Sequence, residues 1–270
     1  MICKRVNFEG EGKNVYLDVY VANPLENAKR KAILVIPGGG YNYVSDREGE
    51  VVAQAFMPYG YNAFVLNYSV ASESEDLFPR QLIQASKAMK YIKDNADEFD
   101  IDPDKVFVVG FSAGGHLTGS LATMWDLKEI YDEIDMPMGY NKPAGAILCY
   151  PVISGKKGVA HEGSFQKLFG MEELTDEIRE KGSIDKHVSE KTCPIFLMHT
   201  ATDPGVPVQN SLLMAQACAE KGVPFEMHIF PQGPHGMSVA NRLTAMGHEG
   251  LISPVVAKWV ENATTWADNL

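Results

Sequence analysis

The sequence predicts an α/β fold, with a mostly parallel central sheet flanked by helices. Short continuous apolar runs, which are typical of strands buried on both faces, recur along the chain. Segments with apolar residues at helical spacing lie between these runs. Strands that alternate with helices of this length indicate right-handed βαβ units, and therefore a parallel sheet.

The individual elements follow from these patterns in chain order. VYLDVYV at 15–21 alternates apolar and polar residues and predicts a half-exposed strand. Apolar runs predict further strands at 32–37, 62–68, 106–110, 146–151, 195–199 and, less continuously, 225–230. Helical spacing predicts helices over 79–95, 114–125, 208–221 and about 253–267.

The domain organisation predicted is one α/β domain over residues 1–270. The chain is 45% hydrophobic and 22% charged, which is ordinary for a globular protein, and it contains no internal repeat or Pro/Gly/Ser linker. Residues 154–191 break the alternation, because they are mostly polar and carry short helical patterns such as EELTDEIREK between two predicted strands. We expect 154–191 to form a cap or lid insertion over one end of the sheet.

The charge balance excludes some classes of partner. With 24 Lys and Arg against 35 Asp and Glu, the formal net charge is −11, which opposes binding to nucleic acid or to anionic membranes. MICKRVNFEG at the N-terminus lacks the apolar region of a signal peptide, and no stretch approaches the roughly 18 apolar residues of a membrane span. We therefore expect a cytoplasmic protein with neutral or cationic small-molecule partners. A homo-oligomer is compatible with the sequence.

The cysteines do not indicate a metal site or a disulfide framework. The four residues lie far apart and show no CxxC spacing: Cys3, Cys149, Cys193 and Cys218. We expect reduced and mostly buried thiols.

The stretch VFVVGFSAGGHL at 106–117 places a serine between glycines, directly after a predicted strand. A nucleophilic hydroxyl must stand clear of the backbone, and a sharp strand-to-helix turn achieves this by straining the serine. Gly110 and Gly114, two residues before and after Ser112, relieve the resulting crowding. This GxSxG pattern, between a strand and a helix, predicts Ser112 as a nucleophile.

A serine nucleophile needs a base and an orienting acid, which follow it in this chain order. Asp203 lies in the turn-forming loop after the strand at 195–199, and His235 lies in the loop after the strand at 225–230. These residues would share the carboxyl edge of the sheet with Ser112, where open α/β sheets bind ligands. Asp185 remains open as an alternative acid, since TDPG around Asp203 is also a good turn sequence.

An oxyanion hole is the remaining part of such a site. Two backbone N–H groups directed at the developing negative charge can each contribute a factor of roughly 10² to 10³. The N–H of Ala113, next to the nucleophile, is one expected donor. The glycine loop IPGGGYNYV at 36–44 is the expected source of the other, from Gly39 or Gly40. The loop contains neither GxGxxG nor a Walker lysine, so it is not typical of a phosphate-binding loop.

These segments resemble the α/β-hydrolases of the esterase and lipase type. More narrowly, PGGGY, LNYSV, IDPDKVFVVGFSAGGHL, HTATDPGVPVQNS and FPQGPHG are similar to bacterial carbohydrate esterases of the acetyl-xylan-esterase-like group, related to hormone-sensitive-lipase and prolyl-oligopeptidase-type enzymes. The matching segments span residues 32–236, which is most of the chain. The resemblance implies the α/β-hydrolase fold, a triad of Ser112, Asp203 and His235, and no metal or organic cofactor.

Two positions depart from the family pattern. Such enzymes often have an arginine where this chain has Ser69 and an acidic residue where it has Gln84. We expect an altered ion pair near the site and an unchanged triad.

The function predicted is hydrolysis of short-chain esters, above all acetyl esters of carbohydrates, through an acyl-enzyme on Ser112. We expect aromatic and apolar side chains, together with residues of the insertion, to form the mouth of the site for a sugar ring. The named side chains are Tyr41, Tyr43, Tyr68 and Met237. The mostly polar insertion disfavours a lipase, which would need an apolar lid. A non-catalytic binding protein of the same fold, or a peptidase or thioesterase, remains the alternative.

Overall fold

An eight-stranded sheet forms the centre of the structure, a computed structural model that describes residues 1–72 and 77–270. The strands are β1 (Ile2–Asn7), β2 (Tyr16–Val21), β3 (Arg30–Ile36), β4 (Tyr61–Asn67), β5 (Ile101–Phe111), β6 (Ala146–Cys149), β7 (Ile195–Thr200) and β8 (Phe225–Phe230). Their order across the sheet is β1-β2-β4-β3-β5-β6-β7-β8. The pairs β1–β2 and β2–β4 are antiparallel, and every other neighbouring pair is parallel. The predicted α/β class with a mostly parallel sheet is confirmed.

Helices cover both faces of this sheet. In the described ranges the α-helices are α1 (Glu50–Phe56), α2 (Arg80–Asp94), α3 (Ala113–Thr123), α4 (Lys128–Glu133), α5 (Glu162–Phe169), α6 (Asp176–Lys181), α7 (Gln209–Lys221), α8 (Arg242–Ala245) and α9 (Trp259–Asp268). Short 3-10 helices lie at Asp46–Glu48, Met57–Tyr59, Ile184–Lys186, Glu249–Leu251 and Val256–Lys258. Across residues 1–72 and 77–270, no helix has both the length and the apolar character that a membrane crossing requires.

The apolar runs form strands because the side chains of each run pack into two hydrophobic cores, one on each face of the sheet. Along β3, Leu34 packs into the core on one face, whereas Ile33 and Val35 pack into the core on the other. Side chains in a strand alternate between faces, so a strand covered on both sides reads as continuously apolar. In β2 only Leu17 and its alternate neighbours are buried, as the alternating sequence predicts.

The segment 154–191 lies between β6 and β7 and contains α5 and α6. It packs on the helix that follows the serine: the His116 ring donates from Nε2 to the Gly182 carbonyl at 2.7 Å. A Cβ at Gly119 would lie 3.0 Å from Ile184, so the contact between helix and insertion is close. That this segment acts as a lid stays a prediction.

The two departures from the family pattern contact each other. Gln84 accepts a hydrogen bond from the Ser69 N–H, and its amide donates to the Ser69 hydroxyl and to Glu11. The Glu11 side chain is only 1% exposed and pairs with Arg80 and Lys87. Burial raises the pKa of Glu11, but hydrogen bonds from Lys87 and Gln84 outweigh it and hold the pKa below its usual value. The acidic residue of the ion pair at this position is therefore Glu11, from the β1–β2 hairpin, and its partners are Arg80 and Lys87 of α2.

Candidate active site

Ser112 occupies a sharp turn between β5 and α3. Its backbone has φ 53° and ψ −116°, a strained conformation for a residue with a side chain. A Cβ at Gly110 would lie 2.3 Å from the Gly114 carbonyl oxygen, and a Cβ at Gly114 would lie 2.2 Å from the Ile36 carbonyl oxygen. Side chains at these two positions are therefore excluded, which explains the GxSxG spacing. The turn leaves Ser112 at the carboxyl end of the central strand.

Ser112, His235 and Asp203 form one hydrogen-bonded line. The Ser112 hydroxyl lies 2.9 Å from His235 Nε2, and His235 Nδ1 lies 2.7 Å from Asp203 Oδ2. A carboxylate can only accept, so Nδ1 carries the proton and Nε2 is free to accept the serine proton. The structure thus brings His235 together with Asp203, 32 positions before it in sequence, and with Ser112, 123 positions before it.

Asp203 is held as a buried carboxylate. Its Oδ1 accepts hydrogen bonds from the N–H groups of Gly205 and Val206, and its side chain is 1% exposed. Burial raises the pKa of Asp203, but hydrogen bonding to His199 and His235 outweighs burial, so the pKa falls well below its usual range. Asp203 is therefore ionised throughout the neutral range. His199, a core histidine on β7, supports it in a way that the sequence alone does not reveal.

The alternative acid, Asp185, lies elsewhere. It belongs to the 3-10 helix Ile184–Lys186 and lines a different cavity, together with Ser154 and Arg179. Burial raises the pKa of its carboxyl. The structure brings Asp203, and not Asp185, to His235.

The glycine loop adopts conformations that side chains disfavour. Gly39 has φ +125° and Gly40 has φ +65°, and a Cβ at Gly39 would lie 2.0 Å from the Tyr43 carbonyl oxygen. Among the described residues, the N–H groups of Gly39, Gly40 and Ala113 donate to no protein acceptor. Ala113 begins α3, where first-turn N–H groups have no partner within the helix. These N–H groups are available to a bound oxygen atom.

A cavity of about 380 Å³ opens over Ser112. Residues singled out from the sequence that line it are Gly39, Gly40, Tyr43, Ser112 and His235. The lining is completed by residues that the sequence patterns do not single out, namely Ser45, Arg47, Glu48, Gly236 and, from the insertion 154–191, His161. Within residues 1–72 and 77–270, no cluster of His, Cys, Asp or Glu side chains is arranged to hold a metal ion.

Three of the four residues predicted at the mouth of the site are core residues. Tyr41, Tyr68 and Met237 are at most 1% exposed, so their predicted place at the mouth is wrong. The Tyr41 hydroxyl bonds His116 Nδ1 at 2.8 Å, and the Tyr68 hydroxyl donates to the Pro37 carbonyl at 2.7 Å. These hydroxyls have protein partners, which lets the rings lie in the core beneath the glycine loop. Tyr43, by contrast, is 59% exposed and lines the cavity.

A buried carboxylate connects the loops of the site. Glu48 is 3% exposed and accepts hydrogen bonds from the Gly38 N–H at 2.9 Å and from the Tyr150 hydroxyl at 2.7 Å. The Tyr150 hydroxyl accepts in turn from the Ser238 N–H, and its ring packs edge-on against His235 at 5.0 Å. Glu48 and Tyr150 therefore connect the glycine loop, through hydrogen bonds, to the loop that carries His235.

We expect Glu48→Gln to lower kcat/KM about tenfold or more and to lower the free energy of unfolding by ~1–3 kcal/mol, because an amide nitrogen would face a buried donor. Tyr150→Phe should act in the same direction, since it leaves the Ser238 N–H without its acceptor. Ester-hydrolysis kinetics and thermal melts measure both effects. Tyr140→Phe, which removes only an exposed bond to Asp94, is the matched control. Unchanged kinetics and melting of Glu48→Gln would show that this connection has no role.

The comparisons with known proteins identify the family of this chain. Residues 17–218 match the model of the BD-FAE family. The chain is 41% identical over 218 residues to endo-1,4-beta-xylanase B of Butyrivibrio fibrisolvens, covering 80% of this chain and 34% of that protein. It is 28% identical to an acetylxylan esterase of Xylanibacter ruminicola, covering 78% of this chain and 42% of that protein. The chain therefore spans less than half the length of each of these two relatives.

Solved structures are similar over almost the whole chain. An acetyl ester-xyloside bifunctional hydrolase from Caldicellulosiruptor lactoaceticus has a TM-score of 0.80 and 36% identity, covering 94% of this chain and 88% of that one. A carboxylesterase from Lactobacillus plantarum has a TM-score of 0.86 and 25% identity, covering 100% and 98%. The resemblance to α/β-hydrolase carbohydrate esterases is confirmed. The chain belongs to the BD-FAE family and has the α/β-hydrolase fold.

Proposed function

We propose that this chain removes short acyl groups, above all acetyl, from esters of carbohydrates through an acyl-enzyme on Ser112. The observation that carries the proposal is the hydrogen-bonded line from Ser112 through His235 to Asp203, with the serine opening into a cavity. The arrangement supplies a nucleophile, a base and an orienting acid, as acyl transfer by a serine hydrolase requires.

In the first half of the reaction, His235 Nε2 takes the proton of Ser112 as the serine oxygen attacks the ester carbonyl. Asp203 keeps the proton on His235 Nδ1 and stabilises the imidazolium that forms. Negative charge develops on the carbonyl oxygen, which accepts hydrogen bonds from the N–H of Ala113 and from that of Gly39 or Gly40. His235 then returns the proton to the departing alcohol, and the acyl group remains on Ser112.

In the second half, water enters the site and His235 removes a proton from it. The resulting oxygen attacks the acyl-enzyme carbonyl, with the same backbone N–H groups facing the charge. Collapse of this intermediate releases the carboxylic acid and returns the proton to Ser112. No group beyond the chain, the ester and water enters this scheme.

The proposed substrate class rests on the lining of the cavity and on the similar proteins. Polar side chains, including Ser45, Arg47 and His161, form much of the lining, which suits a hydroxylated alcohol better than a long acyl chain. Tyr43 presents an exposed aromatic ring at the cavity, where a sugar face can stack. Two similar proteins are named for acetyl ester or acetylxylan hydrolysis.

We expect kcat/KM to fall about tenfold or more as p-nitrophenyl esters lengthen from acetate to octanoate, because a polar cavity of about 380 Å³ offers no broad apolar groove. Acetate release from acetylated xylose or cellobiose should also be detectable. A preference for octanoate would contradict the proposed acyl class. Good turnover of peptides or thioesters without any sugar deacetylation would favour the alternative hydrolase activities.

A further inference from the structure

The ring of His161 reaches the active-site cavity from the segment 154–191. His161 precedes α5 and lines the same cavity as Ser112 and His235, although it lies in a different part of the sequence. The mechanism proposed above does not use it. A half-buried imidazole beside the nucleophile therefore has no assigned role.

The hydrogen bonds of His161 fix which nitrogen carries the proton. Its Nδ1 caps α5 by accepting from the Ser164 N–H at 3.2 Å, and the Ser164 hydroxyl lies 2.8 Å from the same atom. A backbone N–H can only donate, so Nδ1 is unprotonated and the proton is on Nε2. In the described part of the chain, Nε2 has no protein hydrogen-bond partner. The ring therefore keeps one N–H free beside the reacting groups.

The ring is also neutral at neutral pH. Burial lowers the pKa of His161, the proximity of His235 lowers it further, and Asp203 opposes them only in part. His161 is thus a neutral donor, held by its cap, so little conformational freedom is lost when it binds an acceptor.

The position of His161 relates it to the alcohol part of the ester. Ser164, which holds the ring, has its hydroxyl 3.9 Å from where a Cβ at Gly40 would be, so the α5 cap adjoins the glycine loop. In the proposed mechanism the carbonyl oxygen of the substrate faces that loop, and the oxygen of the departing alcohol faces His235. The alcohol then extends into the rest of the cavity, which His161 helps to line.

Resting on the proposed function, we propose that His161 is a substrate-binding residue whose Nε2–H donates a hydrogen bond to an oxygen of the alcohol, a sugar hydroxyl or ring oxygen. The two charged side chains in the lining, Arg47 and Glu48, already form hydrogen bonds with protein groups. Arg47 donates to the carbonyls of Thr244 and Gly236, and Glu48 accepts from Gly38 and Tyr150. His161 would make the site favour oxygen-rich alcohols over plain aromatic or alkyl alcohols.

Two substitutions of His161 distinguish its role as the N-cap of α5, through Nδ1, from the proposed role of Nε2–H as a donor to substrate. In His161→Asn the side-chain oxygen can still cap α5, because asparagine is a good N-cap residue, but nothing replaces Nε2–H. In His161→Gln the longer amide can supply an N–H near the position of Nε2, while the cap is weakened. His187→Asn is the control, since His187 lies in the same segment, bonds the Lys181 carbonyl and is outside this cavity.

The measurement is the ratio of kcat/KM for acetylated xylose to kcat/KM for p-nitrophenyl acetate, whose leaving group has no sugar oxygens. We expect the ratio to fall about tenfold in His161→Asn, mainly through KM, and to recover in part in His161→Gln. The ratio should be unchanged in His187→Asn. Thermal melts verify that every variant is folded.

A ratio in folded His161→Asn equal to that of the unmodified protein would overturn the role of His161 while leaving the proposed function intact. A fall of the same size in both substrates would likewise overturn it, because it would indicate a structural effect. If the unmodified protein hydrolyses neither ester, the proposed function fails and this inference fails with it.

Discussion

Ser112→Ala is expected to lower kcat for ester hydrolysis by about 10⁴ to 10⁶-fold, because the variant lacks the oxygen that forms the acyl-enzyme. Folding should be unaffected. Alanine keeps the Cβ that the turn already accommodates at φ 53°, and the glycines that relieve the turn remain. The measurement is p-nitrophenyl acetate turnover at saturating substrate, with a thermal melt of both proteins.

Ser120→Ala is the matched control for this substitution. Ser120 lies on α3, the helix that follows Ser112, and is also buried, and its hydroxyl donates to the His116 carbonyl without reaching the cavity. We expect it to keep kcat within about threefold, as for substitutions that leave the reacting groups in place. Activity of Ser112→Ala at the level of the unmodified protein, with an unchanged melt, would refute Ser112 as the nucleophile.

Asp203→Asn is expected to lower kcat about 10⁴-fold through the protonation state of His235. The Gly205 and Val206 N–H groups hold the oxygen at the Oδ1 position, so the new amide nitrogen would face His235 Nδ1. That nitrogen donates, which moves the histidine proton to Nε2, and Nε2 then cannot accept the proton of Ser112. The pH profile of kcat and the rate at pH 7 measure the effect.

Asp185→Asn is the natural comparison, because this carboxylate lines a cavity that contains neither Ser112 nor His235. We expect its kcat to stay within about threefold of that of the unmodified protein. If Asp185→Asn loses the larger factor, the wrong carboxylate has been assigned to His235.

The sequence predicts the strands and the catalytic loops well because their signals are local. A continuous apolar run such as that of β3 requires burial on both faces, and the glycines flanking Ser112 are required by contacts within a few residues and with the adjacent strand. The sequence does not predict β1, since ICKRVN carries charged residues on an edge strand whose side chains are alternately half-buried and exposed. The short helix α1 also went unpredicted.

The lining of the cavity could not be predicted in the same way. Tyr41 and Tyr68 lie close in sequence to the glycine loop and to the end of β4, yet proximity in sequence does not say which face a ring takes, and both turn into the core. Glu48 bonds Tyr150 across 102 positions, and His161 lines the same cavity as Ser112 because a separate segment packs there. Such contacts depend on tertiary structure alone.

Covalent labelling tests the central claim, an acyl-enzyme on Ser112, most directly. The unmodified protein, Ser112→Ala and Ser120→Ala are incubated with a fluorophosphonate, which phosphonylates activated serines, and the labelled peptide is mapped by mass spectrometry. We expect one label per chain on Ser112 in the unmodified protein and in Ser120→Ala, with loss of esterase activity in step with labelling, and no label in Ser112→Ala. Activity lost through a label on another residue, or full activity retained with Ser112 labelled, would contradict the account.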